Sequence, residues 1–203
     1  LKSYASTNEE ARADLFGLYY LADSKLVELG LLPDAEAYKS QYYHYMMNGL
    51  MMQLVRIKPG HQIEESHMRN RALIAHWCLE NGKNVVELVK RNGKTYVQIH
   101  DYVALRELFG QLLGEVQRIK SEGDLEAARR LVEQYGVKVN AELHAEVLAR
   151  YAKLGIAPYK GFINPWMKPV VDACGDIVDI TLDYTESYDH QMLRYSREFG
   201  SVL

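Results

Sequence analysis

The sequence predicts a mainly α-helical fold, a helical bundle-like domain with two small β-hairpins. Apolar residues recur at helical spacing over most of the chain, and capping residues and glycines separate the helical stretches. Two shorter stretches instead alternate between apolar and polar residues around turn sequences. The chain has 203 residues, of which 48% are hydrophobic. This length suits a single domain with a sizeable core, so we expect residues 1–203 to form one domain.

The first helix is predicted from Glu9 to Leu29, after the capping residues Ser6, Thr7 and Asn8. Asp34 is expected to cap a second helix, which is rich in tyrosine and methionine. Asp101 and Asn140 are N-cap residues of two later helices, and glycines end most of the set. The helices predicted after the first are Ala35–Arg56, Ile63–Asn81, Tyr102–Lys120, Leu125–Tyr135, Ala141–Leu154 and Glu186–Phe199.

Two hairpins are predicted between these helices. Asn92-Gly93 separates the strand-like stretches 85–89 and 94–99, and this dipeptide favours a type I′ turn because both residues tolerate positive φ. A second hairpin is predicted around residues 174–176, with strands at 170–173 and 177–182. Between the last bundle helix and this hairpin, residues 157–166 read as an ordered loop. Both hairpins are expected to be scaffold.

Composition and charge exclude several classes of function. The formal net charge of −3 gives no basic field, so we expect no nucleic-acid partner. The longest apolar stretch, Met46–Val55, is far shorter than the roughly 20 residues that span a membrane, so no membrane partner is expected either. With only two cysteines, Cys78 and Cys174, a reducing compartment is the default, and we expect a cytoplasmic protein.

An acidic cluster lies near the start of the first predicted helix. Glu9, Glu10 and Asp14 surround Arg12 within six residues. From spacing alone, a helix-capping role for the two glutamates is favoured, because Ser6 and Thr7 each precede a glutamate by three residues. Glu10 and Asp14, however, lie one helical turn apart on a mostly apolar face. A carboxylate on such a face needs a partner, a hydrogen bond or a metal.

The third predicted helix changes character along its length. Its first turns are charged and its later turns apolar, which predicts that one end faces a cleft and the other the core. His67 and Arg71 are four residues apart and share a face. Taken without further information, a solvated face with weak surface ion pairs is the favoured interpretation.

Three stretches resemble one known family, in the same order. Residues 9–14, Glu-Glu-Ala-Arg-Ala-Asp, are similar to the second zinc-binding motif of dipeptidyl peptidase III, whose typical form is Glu-Glu-Cys-Arg-Ala-Glu. Glu65–Arg71 and Tyr159–Pro165 also resemble that family, most closely its bacterial members. The resemblance implies a C-terminal fragment of a longer two-lobed zinc peptidase, taken from its zinc-binding helical lobe.

The resemblance also implies roles for individual residues. Glu10 would be the third zinc ligand, and Glu9 would hold a zinc-bound histidine by its free ring N–H. Asp14 stands where the family has glutamate, with a side chain one methylene shorter. His67 would stabilise the tetrahedral oxyanion, and Arg71 would orient carboxylates or substrate. The implied reaction releases dipeptides from the N-terminus of oligopeptide substrates.

One departure from the family limits what this chain does alone. The motif His-Glu-x-x-Gly-His, which in the family supplies two histidine ligands and the glutamate that activates water, is absent. We therefore expect zinc only in the full-length parent, with the remainder of that chain as a partner, and an inactive isolated chain. Two alternatives stay open: a non-catalytic helical interaction domain that uses the second helix as a groove, and a degenerate paralogue. The peptidase interpretation predicts that Glu9, Glu10, His67 and Arg71 converge on one concave surface and that polar groups are left unsatisfied there.

Overall fold

The computed structural model describes residues 1–156 and 163–200. The chain divides into two compact units, residues 1–155 and 156–203, which are taken separately below. Whether they form a single domain stays a prediction. Most of the predicted loop at 157–166, including the family-like Lys160, lies outside the described residues.

The first unit is a helical bundle with one hairpin, and the mainly α fold with two small hairpins is confirmed. One-turn 3₁₀ segments lie at Lys2–Tyr4 and Met52–Arg56. Within the described residues, no helix combines the length and the hydropathy needed to cross a membrane. The elements are α1 (Ala5–Leu21), α2 (Ser24–Glu28), α3 (Tyr38–Leu50), α4 (Ser66–Asn81), β1 (Val86–Arg91), β2 (Lys94–Ile99), α5 (Tyr102–Glu122), α6 (Leu125–Tyr135) and α7 (Ala141–Ala152).

The core of this unit lies where α1, α3, α4 and α5 meet. Leu15, Met46, Leu73 and Phe109, one from each helix, are fully buried. Tyr42 of α3 packs edge-on against Phe109, with ring centroids 5.0 Å apart, and its hydroxyl donates to the carbonyl of Leu18 in α1 at 2.7 Å. This hydrogen bond satisfies the one polar atom of a ring that is otherwise surrounded by apolar side chains.

The predicted start of α1 is wrong. The helix begins at Ala5, because Tyr4, the last residue of the 3₁₀ turn before it, already has helical backbone angles and leads directly into it. Thr7 and Asn8 lie inside the helix with about 2% of their surface exposed, so they are core residues and not caps. Glu9 and Glu10 therefore lie in the second turn, and the capping interpretation of these glutamates fails. The helix also ends early, since Asp23 caps the separate helix α2.

The second and third predicted helices are both shorter than expected. The second begins at Tyr38, so the prediction that Asp34 caps it is wrong, and it ends at Leu50, where Met51 leaves helical geometry with φ −136°. The third begins at Ser66 because the backbone N–H of buried Ile63 pairs with the carbonyl of Val137 instead of continuing a helix. Its predicted end at Asn81 is confirmed.

The capping and turn signals of the later elements were accurate. Asp101, Asp124 and Asn140 each accept a backbone hydrogen bond three residues on, as N-caps of α5, α6 and α7. Asn92 and Gly93 have φ of 50° and 72°, as a type I′ turn requires, and β1 pairs antiparallel with β2 around them.

The second unit pairs a hairpin with one helix. Its elements are β3 (Trp166–Val171), β4 (Ile177–Asp183) and α8 (Tyr188–Phe199). The guanidinium of Arg194 in α8 lies over the ring of Trp166, 4.5 Å from its centroid. The side chain of Gln191 is fully buried and exchanges hydrogen bonds with the backbone of Asn164. The predicted hairpin and tail helix are confirmed, although β3 begins four residues earlier and α8 two residues later than predicted.

Candidate functional site

The structure brings Glu10 and His67 together at the interface between α1 and α4. His67 Nδ1 lies 3.1 Å from Glu10 Oε2, and the two side chains are 56% and 34% exposed. The other carboxylate oxygen, Oε1, has no hydrogen bond or ion pair with any residue that the structure describes. The pair is therefore accessible, and half of the carboxylate is unengaged.

The neighbouring residues explain why these two side chains meet. Ala11 and Leu15 place one face of α1 in the core, so Glu10 sits at the edge of that face. In α4, the carboxylate of Glu65 accepts hydrogen bonds from the backbone N–H groups of His67 and Met68, at 2.9 and 3.0 Å. Partial burial opposes the charge of Glu65, but these two hydrogen bonds lower its pKa overall. The cap thus fixes the turn that carries His67.

The contact also bears on the tautomer of the imidazole. A carboxylate oxygen 3.1 Å from Nδ1 favours the tautomer with the hydrogen on this nitrogen, because a lone pair there would be repelled. In the neutral ring, Nε2 then holds the lone pair and acts as an acceptor. It donates only when the ring is protonated.

Asp14 forms a second polar contact one turn further along α1. Its Oδ2 accepts a hydrogen bond from the Tyr45 hydroxyl of α3 at 2.8 Å and another from Asn70 Nδ2 of α4 at 2.9 Å. Burial and the neighbouring carboxylate raise the pKa of Tyr45 well above its ordinary value, so this hydroxyl remains a donor. Three helices therefore meet at one carboxylate oxygen.

Glu9 lies on a neighbouring face of α1, toward α5. Its carboxylate pairs with Arg12 in the same helix and with Lys120 in α5. Hydrogen bonds from these two cations lower the pKa of Glu9. Glu9 therefore links α1 to α5, and it does not contact the pair formed by Glu10 and His67.

Arg71 lies one turn beyond His67 and is partly buried. Its side chain makes no hydrogen bond or ion pair with the residues described by the structure. Its positive charge acts to lower the pKa of Tyr45, but burial and Asp14 outweigh it and the pKa of Tyr45 is raised overall. At Glu65 the same charge acts together with the backbone hydrogen bonds, and the pKa is lowered. Among the described residues, the guanidinium is therefore left without a partner and can bind a further group.

Sequence reasoning missed three residues of this region: Tyr45, Asn70 and Lys120. Tyr45 was one of many aromatic residues in a helix assigned to the core, and Lys120 was only the last residue of a structural helix. Asn70 offered a usable signal, because asparagine is a weak helix former and this one stands three residues after His67. Its side chain is 1% exposed, and its Oδ1 has no hydrogen-bond partner among the described atoms.

The described side chains can supply one ligand of a metal site, but they do not supply a complete set of ligands. Glu10 Oε1 is a carboxylate oxygen of the kind that binds zinc, and it is accessible. A catalytic zinc site uses three protein ligands. Across residues 1–156 and 163–200, no group of three histidine, cysteine, aspartate or glutamate side chains could hold a metal ion.

The helical scaffold presents a carboxylate, an imidazole and a guanidinium without a described partner on α1 and α4. Side chains of these three types are typical of a hydrolase site. Comparison with known families defines the class as peptidase. The model of peptidase family M49 matches residues 1–153, which include Glu10, His67 and Arg71. The chain belongs to this family, the metallopeptidase family of dipeptidyl peptidase III, and the resemblance seen in the sequence is confirmed at that level.

Proposed function

We propose that this chain is part of a zinc-dependent exopeptidase that releases dipeptides from the N-terminus of oligopeptides. The observation that carries the proposal is the contact between Glu10 and His67 within the matched segment. Two helices far apart in sequence place these two side chains together, where the family resemblance requires a ligand and a transition-state donor. In this proposal the chain is the C-terminal part of the zinc-binding lobe of a bacterial-type enzyme.

Each side chain then has a defined task. Glu10 would hold the metal through the carboxylate oxygen that does not face His67. A zinc ion bound there would supply a Lewis acid for the scissile carbonyl. His67, when protonated, donates from Nε2 to the oxyanion that develops on that carbonyl. Arg71, which is free of partners among the described residues, orients a carboxylate of the substrate or of the site.

Two further carboxylates, those of Glu9 and Asp14, would support the metal site. Glu9 would hold the ring N–H of a histidine ligand, with its own orientation fixed by Arg12 and Lys120. Asp14 would act in the same way through Oδ1, because Oδ2 is already occupied by Tyr45 and Asn70.

The rest of the site is proposed to come from the parent chain. Because the described residues contain no set of three ligands, two histidines must be supplied by another segment. The partners in this proposal are that segment and an oligopeptide substrate. The low cysteine content supports a cytoplasmic location.

The observations do not favour the interaction-domain alternative. That alternative needs an exposed apolar patch on the second helix and a scattered placement of Glu10 and His67. In α3, the side chains of Tyr42, Met46 and Leu50 are buried in the core. Glu10 and His67 are in contact.

The test is dipeptide release by the full-length parent, measured with and without a chelator. We expect the chelator to abolish activity and Glu10→Gln to lower kcat/KM at least about a hundredfold, beyond the 10–100-fold typical of groups that only support a ligand. Glu64→Gln is the matched control, because this exposed glutamate near the start of α4 lies outside the site. Chelator-resistant activity, or full activity of Glu10→Gln, would refute the proposal.

A further inference from the structure

Tyr45 and Asn70 each make a hydrogen bond to Asp14 that neither the capping pattern nor the peptidase chemistry explains. Both donate to Asp14 Oδ2, at 2.8 and 2.9 Å. Asn70 is 1% exposed, and its Oδ1 finds no donor among the described residues. A half-satisfied amide in the core lowers stability relative to an apolar residue of the same shape. The amide therefore calls for an explanation other than stability.

The position of Asp14 and Asn70 along their helices suggests an explanation for this contact. Asp14 follows Glu10 by four residues in α1, and Asn70 follows His67 by three residues in α4, so each lies one turn beyond its counterpart. The two helices are thus joined by two successive polar contacts, Glu10 with His67 and Asp14 with Asn70. Apolar packing tolerates a sliding of one helix along another, whereas directional hydrogen bonds fix the register.

We propose that Asn70 and Tyr45 are positioning residues that act through Asp14. By holding one oxygen of this carboxylate from α4 and α3, they fix the register of α1 against α4 and thereby keep Glu10 beside His67. Asp14 has a shorter side chain than the glutamate typical of the motif, and the two donors reach it from both neighbouring helices. The inference deepens the proposed function, on which the roles of Glu10 and His67 rest.

The direct test measures the His67 tautomer in this 203-residue chain by ¹⁵N NMR of the imidazole at alkaline pH. In the wild type, Glu10 should hold the ring in the Nδ1–H form. Asn70→Leu and Tyr45→Phe should shift it toward the mixture of tautomers found in free histidine. An unchanged tautomer in both variants would overturn the inference.

Tyr42→Phe is the matched control for Tyr45→Phe. It removes a buried hydroxyl that also joins α3 to α1, but that hydroxyl donates to the carbonyl of Leu18 and not to Asp14. Both substitutions should lower the urea midpoint, and only Tyr45→Phe should change the tautomer. If Tyr42→Phe changes the tautomer equally, the role of Tyr45 is general packing and the inference fails.

Activity of the full-length parent separates this inference from the proposed function. If the parent releases dipeptides, Asn70→Leu should lower kcat about tenfold with little change in KM and with no loss of thermal stability. A parent that cleaves no peptide would refute the proposed function, while the tautomer measurement would still decide the role of Asn70. An active Asn70→Leu parent with wild-type kcat would overturn the positioning role alone.

Discussion

Glu65 connects the backbone of α4 to the chemistry of its first turn. Both oxygens of its carboxylate are used, one by the N–H of His67 and the other by the N–H of Met68. Arg69 makes a second hydrogen bond between α4 and the preceding loop, since its Nε donates to the carbonyl of Ile63 at 2.8 Å. The turn that carries His67 is therefore held from the preceding loop as well as from the core.

Removing this cap should affect both stability and the site. We expect Glu65→Ala to lower the free energy of unfolding by about 1 kcal/mol, the usual effect of losing an N-cap. The folded-state pKa of Glu65 is lowered, so the difference from the wild type should be full at pH 7 and disappear as the pH falls below about 4.3 and through the folded-state value. Urea unfolding at several pH values measures this difference.

Asp101→Ala is the control for this prediction, because Asp101 caps α5 in the same way and lies away from His67. Both variants should lose similar stability. In the full-length parent, only Glu65→Ala should also lower kcat. Equal activity of the two variants would show that the cap of α4 does not support His67.

At the scale of elements, α3 and α4 approach each other closely at Gly49. A Cβ atom at this position would lie 2.6 Å from the Cβ of Ala75 and closer still to the carbonyl oxygen of Arg71. No side chain fits there without separating the helices. Because the two helices pack closely, Tyr45 of α3 can reach Asp14. His67 and Arg71 lie on α4, the other helix of this contact.

Gly49→Ala should therefore destabilise the protein by about 1–3 kcal/mol, the usual range for an overpacked core. Gly114→Ala offers a matched comparison, because Gly114 lies in the interior of α5 with no atom within 4 Å of the added Cβ. That substitution should stabilise the protein by about 0.5–1 kcal/mol through helix propensity. Denaturant midpoints of the two variants would test the contrast, and a neutral Gly49→Ala would contradict the packing described here.

The same scale shows what the sequence could and could not predict. The caps at Asp101 and Asn140 and the turn at Asn92-Gly93 depend on interactions within a few residues, and these were all predicted. The starts of α1 and α4 were wrong because tertiary contacts decide them: Asn8 is buried, and Ile63 pairs with Val137.

The candidate site divides in the same way. Glu10, Asp14, His67 and Arg71 could be selected because the motif resemblance marks them in the sequence. Tyr45 and Asp14 are in contact although they lie 31 positions apart in the sequence. Lys120 and Glu9 are in contact across 111 positions. No local pattern encodes such contacts, since they follow from how α3 and α5 pack against α1.

At the scale of the whole molecule, the M49 match ends at residue 153, two residues before the end of the first compact unit. That unit contains Glu10, His67 and Arg71 and the buried core around them. It supplies a scaffold with one candidate ligand, and no group of three within the described residues. A carboxylate with a single neighbouring imidazole gives neither the affinity nor the geometry of a catalytic zinc site.

We therefore expect the isolated 203-residue chain to release no dipeptide from oligopeptides, with or without added zinc. Zinc should bind weakly, and Glu10→Gln should change that affinity little, because most of a catalytic site's ligands are missing. A competition titration against a chromophoric zinc indicator and a dipeptide-release assay would measure the two quantities, with the full-length parent as the positive control. Tight stoichiometric zinc binding that is lost in Glu10→Gln would mean that the chain completes the site by itself, and measurable dipeptide release would mean that the site also works without the other ligands.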